Sequence, residues 1–378
     1  MNKPQNEQRR ILVILGGSLL FFVFWAALLT PWGNKGPEAY LTHGAVKQAE
    51  SPDSVFKDLM IPEYKGPKDK TFKFTGICNE QIKIPLNAPV NPVKKVVTDK
   101  KEQSLAIKTL AYSLGADLVG IGVFDPRWKF RGVPLDHKFT IVIAEALPYR
   151  FCREEEGRVR AMASTKAALD FYKMGGRVAL FLADAIRDMG YPARAHYESW
   201  SQVLTIPVAI DAGLGEMGRN GLLITKKFGP RCRFSVVTTD LPLNPDKKPA
   251  RMGITEFCEI CDKCARACPV KAIPFGGPTV NRGVVKWQLD LQKCFKYWYQ
   301  GPNSWSRCLV CMTTCPWNKP DNILHRAGSY LASRNPLNRW LLYKMDKVLG
   351  YGGEVDTTDT IPDMEKMREE MKEKVEEK

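Results

Sequence analysis

The spacing of apolar positions marks out a mixed core in the middle of the chain. In "SLAIKTLAYSLGADLVGIGVF", Ile107, Leu110, Ala111 and Leu114 recur at helical intervals, Gly115 offers the helix a stop, and "DLVGIGVF" continues as an apolar run of strand length. "KFTIVIAEAL", from Lys138 to Leu147, reads as a second strand. Ser164 to about Met189 reads as a long helix, with Gly175-Gly176 as a candidate interruption. "GLLIT" and "RFSVVTTDL" supply two more strands, and the alternation of helix and strand predicts an α/β (α+β) core over residues 100–250.

Around that core the patterning changes. Residues 31–99 are rich in Pro, Gly and Lys with little periodicity, as expected of a linker and covering segments. Residues 251–320 are rich in cysteine, and 321–378 form a C-terminal segment whose end, "DMEKMREEMKEKVEEK", is a charged tail. Before all of these, "ILVILGGSLLFFVFWAALL" runs from Ile11 to Leu29 without a charge. At about 1.5 Å per residue such a helix nearly crosses a hydrocarbon layer of about 30 Å, so residues 11–30 are expected to be a transmembrane anchor. Lys3, Arg9 and Arg10 precede it, which places residues 1–10 in the cytoplasm and the rest on the outer, periplasmic or extracytoplasmic, face. A cleaved signal peptide and twin-arginine export through Arg9-Arg10 are the alternatives.

Charge adds little. Of 378 residues, 56 are Lys or Arg and 41 Asp or Glu, a net +15 that would suit an anionic partner. No basic run with interleaved aromatics accompanies it, so no nucleic-acid partner is expected and the charges read as solvated surface.

The cysteines change the picture most. Cys258, Cys261, Cys264 and Cys268 form C-x2-C-x2-C-x3-C-P, and Cys294, Cys308, Cys311 and Cys315 form C-x13-C-x2-C-x3-C-P. The first spacing is that of bacterial ferredoxins, in which three close thiolates bind one [4Fe–4S] cluster and the fourth crosses to the other. Two clusters follow: one on Cys258, Cys261, Cys264 and Cys315, the other on Cys294, Cys308, Cys311 and Cys268. Disulfides and zinc fit less well, because zinc sites use two separated pairs and this spacing is poor for disulfides. Cys78, Cys152 and Cys232 remain, and read as packed thiols.

Gly213, Gly215 and Gly218 in "AIDAGLGEMGRNGLLIT" imitate G-x-G-x-x-G. A dinucleotide fingerprint needs a helix opening from the glycines, whereas "GLLIT" is strand-like. The glycines are read instead as a tight turn or a close approach to a large flat ligand.

"IPVAIDAGLGEMGRNGLLITKKFGPRCRFSVVTTDLPL", "IKTLAYSLGADLVGIGVFDPRW", the paired cysteine motifs and "YKMDKVLGYG" together resemble the corrinoid-dependent reductive dehalogenases, in the same order over residues 100–352. The epoxyqueuosine reductases are the next relatives. The resemblance implies a nitroreductase-like core holding a base-off corrinoid, fed by a two-cluster ferredoxin-like module. It also implies that Tyr172, nineteen residues before Tyr191 of "MGY", donates a proton. Arg231 of "GPR" would stabilise charge, and Arg219 and Asn220, with the three glycines, would help position the corrinoid. Where many members of the family carry Asn, this chain has Glu198, which would raise the phenol's pKa or itself deliver a proton. His196 and Tyr197 beside it are open to either a structural or a functional reading.

The expected function is reduction of an organohalide through Co(I), with electrons from a quinol or a low-potential carrier. A corrinoid iron–sulfur reductase of a non-halogenated substrate and a membrane-attached two-cluster electron carrier are the alternatives.

Overall fold

The structure, a computed structural model, describes residues 26–34, 88–149, 152, 154–155, 158–159, 165–197, 201–247, 252–300 and 308–349. Along 154–155, 158–159, 165–174, 295–296 and 298–300 it describes the backbone alone. Asp99 opens the first helix, α1 (Lys100–Ser113), by accepting from the Lys101 and Glu102 amides, and Gly115 at φ 110° turns the chain out of it. Strand β1 (Leu118–Val123) follows, then β2 (Phe139–Ala146), and these pair antiparallel from Leu118↔Ala144 to Val123↔Phe139. Two short strands, β3 (Glu154–Glu155) and β4 (Arg158–Val159), precede the long helix α2 (Thr165–Asp188). Next come β5 (Ala193–His196), α3 (Thr205–Asp211), the hairpin β6 (Gly215–Met217) and β7 (Leu223–Thr225), and β8 (Cys232–Thr239).

The main sheet runs β1-β2-β8-β5, and every pairing in it is antiparallel. The core is therefore of the α+β kind. Its layers follow from strand alternation: odd positions of β2 and β8 face α1 and α2, where Ile141, Ile143 and Val237 meet Ile107, Val178, Leu182 and Ile186. Even positions face α3, where Val142 and Val236 meet Val208, Ala209 and Trp128. Ile121, Ile141 and Ile143 are fully buried and each contributes about 2 kcal/mol of hydrophobic stabilisation.

The expected interruption of the long helix does not occur, for a steric reason. A Cβ on Gly175 would lie 2.9 Å from Glu145 Oε2, and one on Gly176 2.9 Å from the Tyr197 ring. The glycine pair lets α2 lie close on the sheet, at a helix-propensity cost of about 1 kcal/mol per glycine.

The cysteine-rich part contributes α4 (Ile254–Ile260), α5 (Lys263–Ala267), the hairpin β9 (Thr279–Asn281) and β10 (Val284–Lys286), α6 (Leu291–Gln300) and α7 (Val310–Thr313). Two helices the sequence reading did not resolve complete the described fold: α8 (Ile323–Ala332), capped by Asn322, and α9 (Pro336–Val348), capped by Asn335 with proline in its first turn. Residues 26–34 dock on the start of α9, where Asn335 Nδ2 donates to Ala27 O at 2.8 Å and Asn338 Nδ2 to Leu28 O at 2.6 Å.

Residues 11–25 of the expected anchor, the charged tail, Cys78 and Glu198 lie outside the described residues. Among the described residues no helix is long and apolar enough to cross a membrane.

Candidate functional site

The crossing of the two cysteine blocks is visible in space. Cys258 on α4, Cys261 and Cys264 beside it, and Cys315 from the second block line one small pocket, together with Arg219, Asn220 and Trp317. Cys268, Cys294, Cys308 and Cys311 form the other group. Burial raises the Cys308 thiol to about 11 with Cys294 and Cys268 adding to the rise, and Cys311 is raised by burial and by the same neighbours. In the first group burial pushes Cys258 up to about 12, and Cys264 rises with it. Thiols gathered in this way repel one another on ionisation, and a cationic metal centre that takes them as thiolates removes the penalty.

A single zinc ion would require sulfurs converging at about 2.3 Å from one point. Among the described residues no three His, Cys, Asp or Glu side chains converge on such a point, and the first thiol group rings a pocket instead. The donor set fits iron–sulfur clusters. The first group is buried throughout, whereas Cys294, Cys308 and Cys311 of the second are only partly covered.

The glycine-rich segment brackets the first group. Gly213, at φ 78°, turns the chain out of α3, and the β6–β7 hairpin follows with no helix opening from the glycines. Cβ atoms on Gly215 and Gly218 would strike Ile224 at 2.4 and 2.5 Å, so these glycines face the hairpin's own partner strand. Arg219, 2% exposed, donates to Cys258 O (2.7 Å), Cys261 O (2.9 Å), Pro274 O (3.0 Å) and Gly276 O (2.7 Å). Asn220 Nδ2 donates to Cys311 O at 3.3 Å. The side chains expected at a corrinoid are thus placed on the cysteine loops.

Glu216, which the sequence reading passed over, accepts from the Met252, Ile254 and Thr255 amides at the start of α4. Lys263, between Cys261 and Cys264 and 4% exposed, pairs with Asp346 on α9, to which Lys319 also reaches at 3.0 Å.

Of the catalytic candidates, Arg231 lies at one end of the main sheet, while the side chain of Tyr172 and the whole of Glu198 fall outside the described residues. Arg231 immediately precedes β8, is 5% exposed, and donates to Leu147 O at 2.9 Å and Lys319 O at 3.3 Å. The Tyr149 and Phe228 rings each lie 5.5 Å from its guanidinium carbon. Its Nε is buried and has no acceptor among the described residues. The preceding turn needs glycine: Gly229 has φ +59°, and a Cβ there would lie 2.2 Å from Trp317 O, two residues past Cys315. Arg231 therefore bridges the sheet end and the second cysteine block.

Position 172 lies one helical turn before Gly175 on α2, the helix that crosses this end of the sheet on the Glu145 face. Glu145 itself is fully buried, neither carboxyl oxygen has a partner among the described residues, and burial with nearby Asp117 raises its pKa to about 8. A lone Glu inside "IVIAEAL" was the available signal for it. His196 faces the other side of the sheet. It takes the Gln202 amide on Nδ1 at 3.2 Å, so its proton sits on Nε2 and is shared with Thr238 Oγ1 at 2.8 Å. Tyr197 packs on Gly176, and Cys152 and Cys232 are buried, as packed thiols should be.

Residues 257–319 match the 4Fe-4S dicluster domain. Tetrachloroethene reductive dehalogenase of Dehalobacter restrictus (strain DSM 9455 / PER-K23) is 35% identical over 260 residues, covering 65% of this chain and 45% of that protein. The Sulfurospirillum multivorans tetrachloroethene reductive dehalogenase is 31% identical over 327 residues, 75% of this chain and 63% of that protein. The chain thus spans about half to two thirds of the length of these relatives. A solved catabolic reductive dehalogenase, NpRdhA, superposes with a TM-score of 0.72 at 29% identity, covering 83% of this chain and 48% of that one. Another solved reductive dehalogenase with the same score is described as performing B12-dependent dehalogenation. An epoxyqueuosine reductase of Lactococcus garvieae (strain Lg2) is 30% identical over 132 residues, 32% of this chain and 33% of that protein.

Proposed function

Because the chain is homologous to the reductive dehalogenases, which are oxidoreductases, we propose that it carries the corrinoid-binding and two-cluster portion of such an enzyme and reduces an organohalide with release of halide. The observation that supports this most directly is the bond from Arg231 to Lys319 O, four residues past Cys315, which ties a buried cation, its Nε without an acceptor among the described residues, to the end of the second cysteine block.

The overall change consumes two electrons and one proton: the carbon–halogen bond breaks, a carbon–hydrogen bond forms and halide leaves. A base-off corrinoid, when bound, supplies a Co(I) centre able to deliver electrons to that bond. The chain's residues do the rest. Buried Cys268 and the half-buried Cys294, Cys308 and Cys311 would hold the more exposed cluster, which would take electrons from a quinol or low-potential carrier. The buried Cys258, Cys261, Cys264 and Cys315 would hold the inner cluster, whose chemistry would be one-electron transfer. Tyr172 gives its phenolic proton to the carbon that loses halogen. Arg231, held by Leu147 O and Lys319 O, offers positive charge to the negative charge that develops there. Gly213, Gly215 and Gly218 shape the hairpin at the cluster, and Arg219 and Asn220 serve its loops. We assign Glu198 no step, and Ile11 to Leu29 the role of holding the catalytic portion on the outer face of a membrane. Release of the full-length protein by salt or carbonate washing would overturn that attachment.

Metal analysis of anaerobically reconstituted protein tests the reading, with about eight irons and one cobalt per chain expected. Halide release by the wild type, falling about a hundredfold in Tyr172→Phe, is the functional counterpart. The match to an epoxyqueuosine reductase supports a second reading, a corrinoid iron–sulfur reductase of a non-halogenated substrate, for which the metals are the same and no halide is released. Eight irons with no cobalt would leave an electron carrier.

A further inference from the structure

We propose that Arg219 is a potential-setting residue, a buried fixed charge on the wall of the first cysteine pocket that raises the reduction potential of the cluster held by Cys258, Cys261, Cys264 and Cys315. The inference rests on the two-cluster reading and on nothing in the choice of substrate.

Arg219 is 2% exposed and lines the same pocket as the four thiols. Four of its five N–H groups are taken by neutral carbonyls: Cys258 O, Cys261 O, Pro274 O and Gly276 O. Beneath it the Trp287 ring lies 4.8 Å from the guanidinium carbon, and Trp287 Nε1 donates to the same Gly276 carbonyl. Every described partner of this cation is thus a dipole or a ring, and none is a carboxylate. Among the described residues no carboxylate is bonded to this buried guanidinium, so its charge is weakly screened.

Once in place, the cluster with its four thiolates is a large negative charge in the same pocket as Arg219, with the Glu216 carboxylate also near enough to act on Cys258. Adding an electron makes that charge more negative. A fixed cation at the pocket wall stabilises the reduced form more than the oxidised form, and the potential rises. All four thiols of the first group are buried, whereas three of the four in the second are only partly covered. Raising the inner potential relative to the outer makes transfer from surface to interior downhill, which is the direction the chemistry needs. Two residues whose hydrogen bonds could be mistaken for the same role differ from it: Glu216 caps the α4 amides and Asn220 holds Cys311 O, and neither places positive charge at the pocket.

The test is an anaerobic redox titration, followed by electron paramagnetic resonance, of cluster-loaded protein in the wild type, Arg219→Gln, Arg219→Lys and Asn220→Asp, each checked for eight irons. Arg219→Gln should shift the reduced-to-oxidised ratio of one cluster at least tenfold toward the oxidised form. That corresponds to about 59 mV lower for a one-electron couple. The other midpoint should move by less than a third as much. Arg219→Lys keeps the charge and should show less than half of the Gln shift. Asn220→Asp keeps every Arg219 hydrogen bond while placing a carboxylate beside it, and should lower the same midpoint. An eight-iron Arg219→Gln protein with an unmoved midpoint overturns the inference. So do equal shifts in Gln and Lys, which would assign the effect to the lost hydrogen bonds. If the Gln variant fails to hold its irons, Asn220→Asp decides, and an unmoved midpoint there is equally fatal. An iron count below eight in the wild type would instead sink the two-cluster reading itself.

Discussion

Replacing Glu145 with glutamine removes one ionisable group from the interior without changing its shape, and the structure fixes how stability should respond to pH. An exposed carboxyl ionises near 4.5, and in the fold burial and Asp117 move Glu145 to about 8. The folded state therefore keeps a proton that the unfolded chain has already lost. Stability from this linkage is fully present below about 4.5 and is lost as pH rises through 8. At 1.36 kcal/mol per pH unit of proton affinity, the wild type forfeits about 4 kcal/mol between pH 5 and pH 9. Glutamine does not titrate, so the variant should gain that amount on the wild type over the same interval. With an unfolding entropy of about 2.1 cal/mol/K per residue, the relative gain is roughly 5 °C in Tm. Anaerobic calorimetry of cluster-loaded wild type and Glu145→Gln at the two pH values reads it, and groups shared by both proteins cancel in the comparison. A Tm gap that does not change between pH 5 and pH 9 would refute the reasoning, because Glu145 would then share its proton equilibrium with the unfolded chain.

The acid side offers the mirror image: burial and nearby Arg194 lower His196 to about 3, so its contribution is present above about 6.5 and is lost as pH falls toward 3. His196→Gln should therefore lose less Tm than the wild type between pH 7 and pH 4.5, and parallel losses would contradict the assignment. Gly229→Ala forces φ +59° on a residue with a Cβ aimed at Trp317 O. It should cost about 3 kcal/mol and disturb the resonance signal of the first cluster, both measurable on the purified variant. Asp346→Asn withdraws the carboxylate that buried Lys263 and Lys319 share, at about 3 kcal/mol, and should speed iron loss to a chelator, whereas an unchanged rate would detach α9 from cluster stability.

How far these features could be read beforehand depends on the range over which their causes act. The strands at Leu118–Val123 and Phe139–Ala146 and the helix ending before Gly115 were legible because periodicity and a left-handed glycine are local properties. The grouping of thiols followed from spacing, since four ligands must reach one compact centre. Gly175-Gly176 misled because a helix-breaking preference is local, while its use here is to admit Glu145 and Tyr197 from strands distant in sequence. The resemblance implies a corrinoid-positioning role for Arg219, and its hydrogen bonds say nothing for or against that role. Those bonds run to carbonyls 39 to 57 residues away, and backbone acceptors leave no mark on the identity of the residues that carry them. Glu216 escaped notice for the same reason, as its partners are amides of α4.

These long-range bonds share a direction, and the direction has a mechanical consequence. The core reaches into the cysteine module through Glu216, Arg219 and Asn220 at one place and through Gly229 and Arg231 at another, and in both places a core side chain or turn meets main-chain atoms of the module. Main-chain contacts fix position without constraining the side chains around them. The module's cysteines can therefore keep their ligand spacing while the core holds the loops that bear them at a set distance from the sheet end. Electron transfer depends steeply on distance, so a joint made of backbone hydrogen bonds and the close Gly229 contact would hold clusters bound by the module at a set separation from the core. A substitution at the joint should consequently disturb cluster and catalytic readouts together, whereas one inside either layer of the sheet should change stability first.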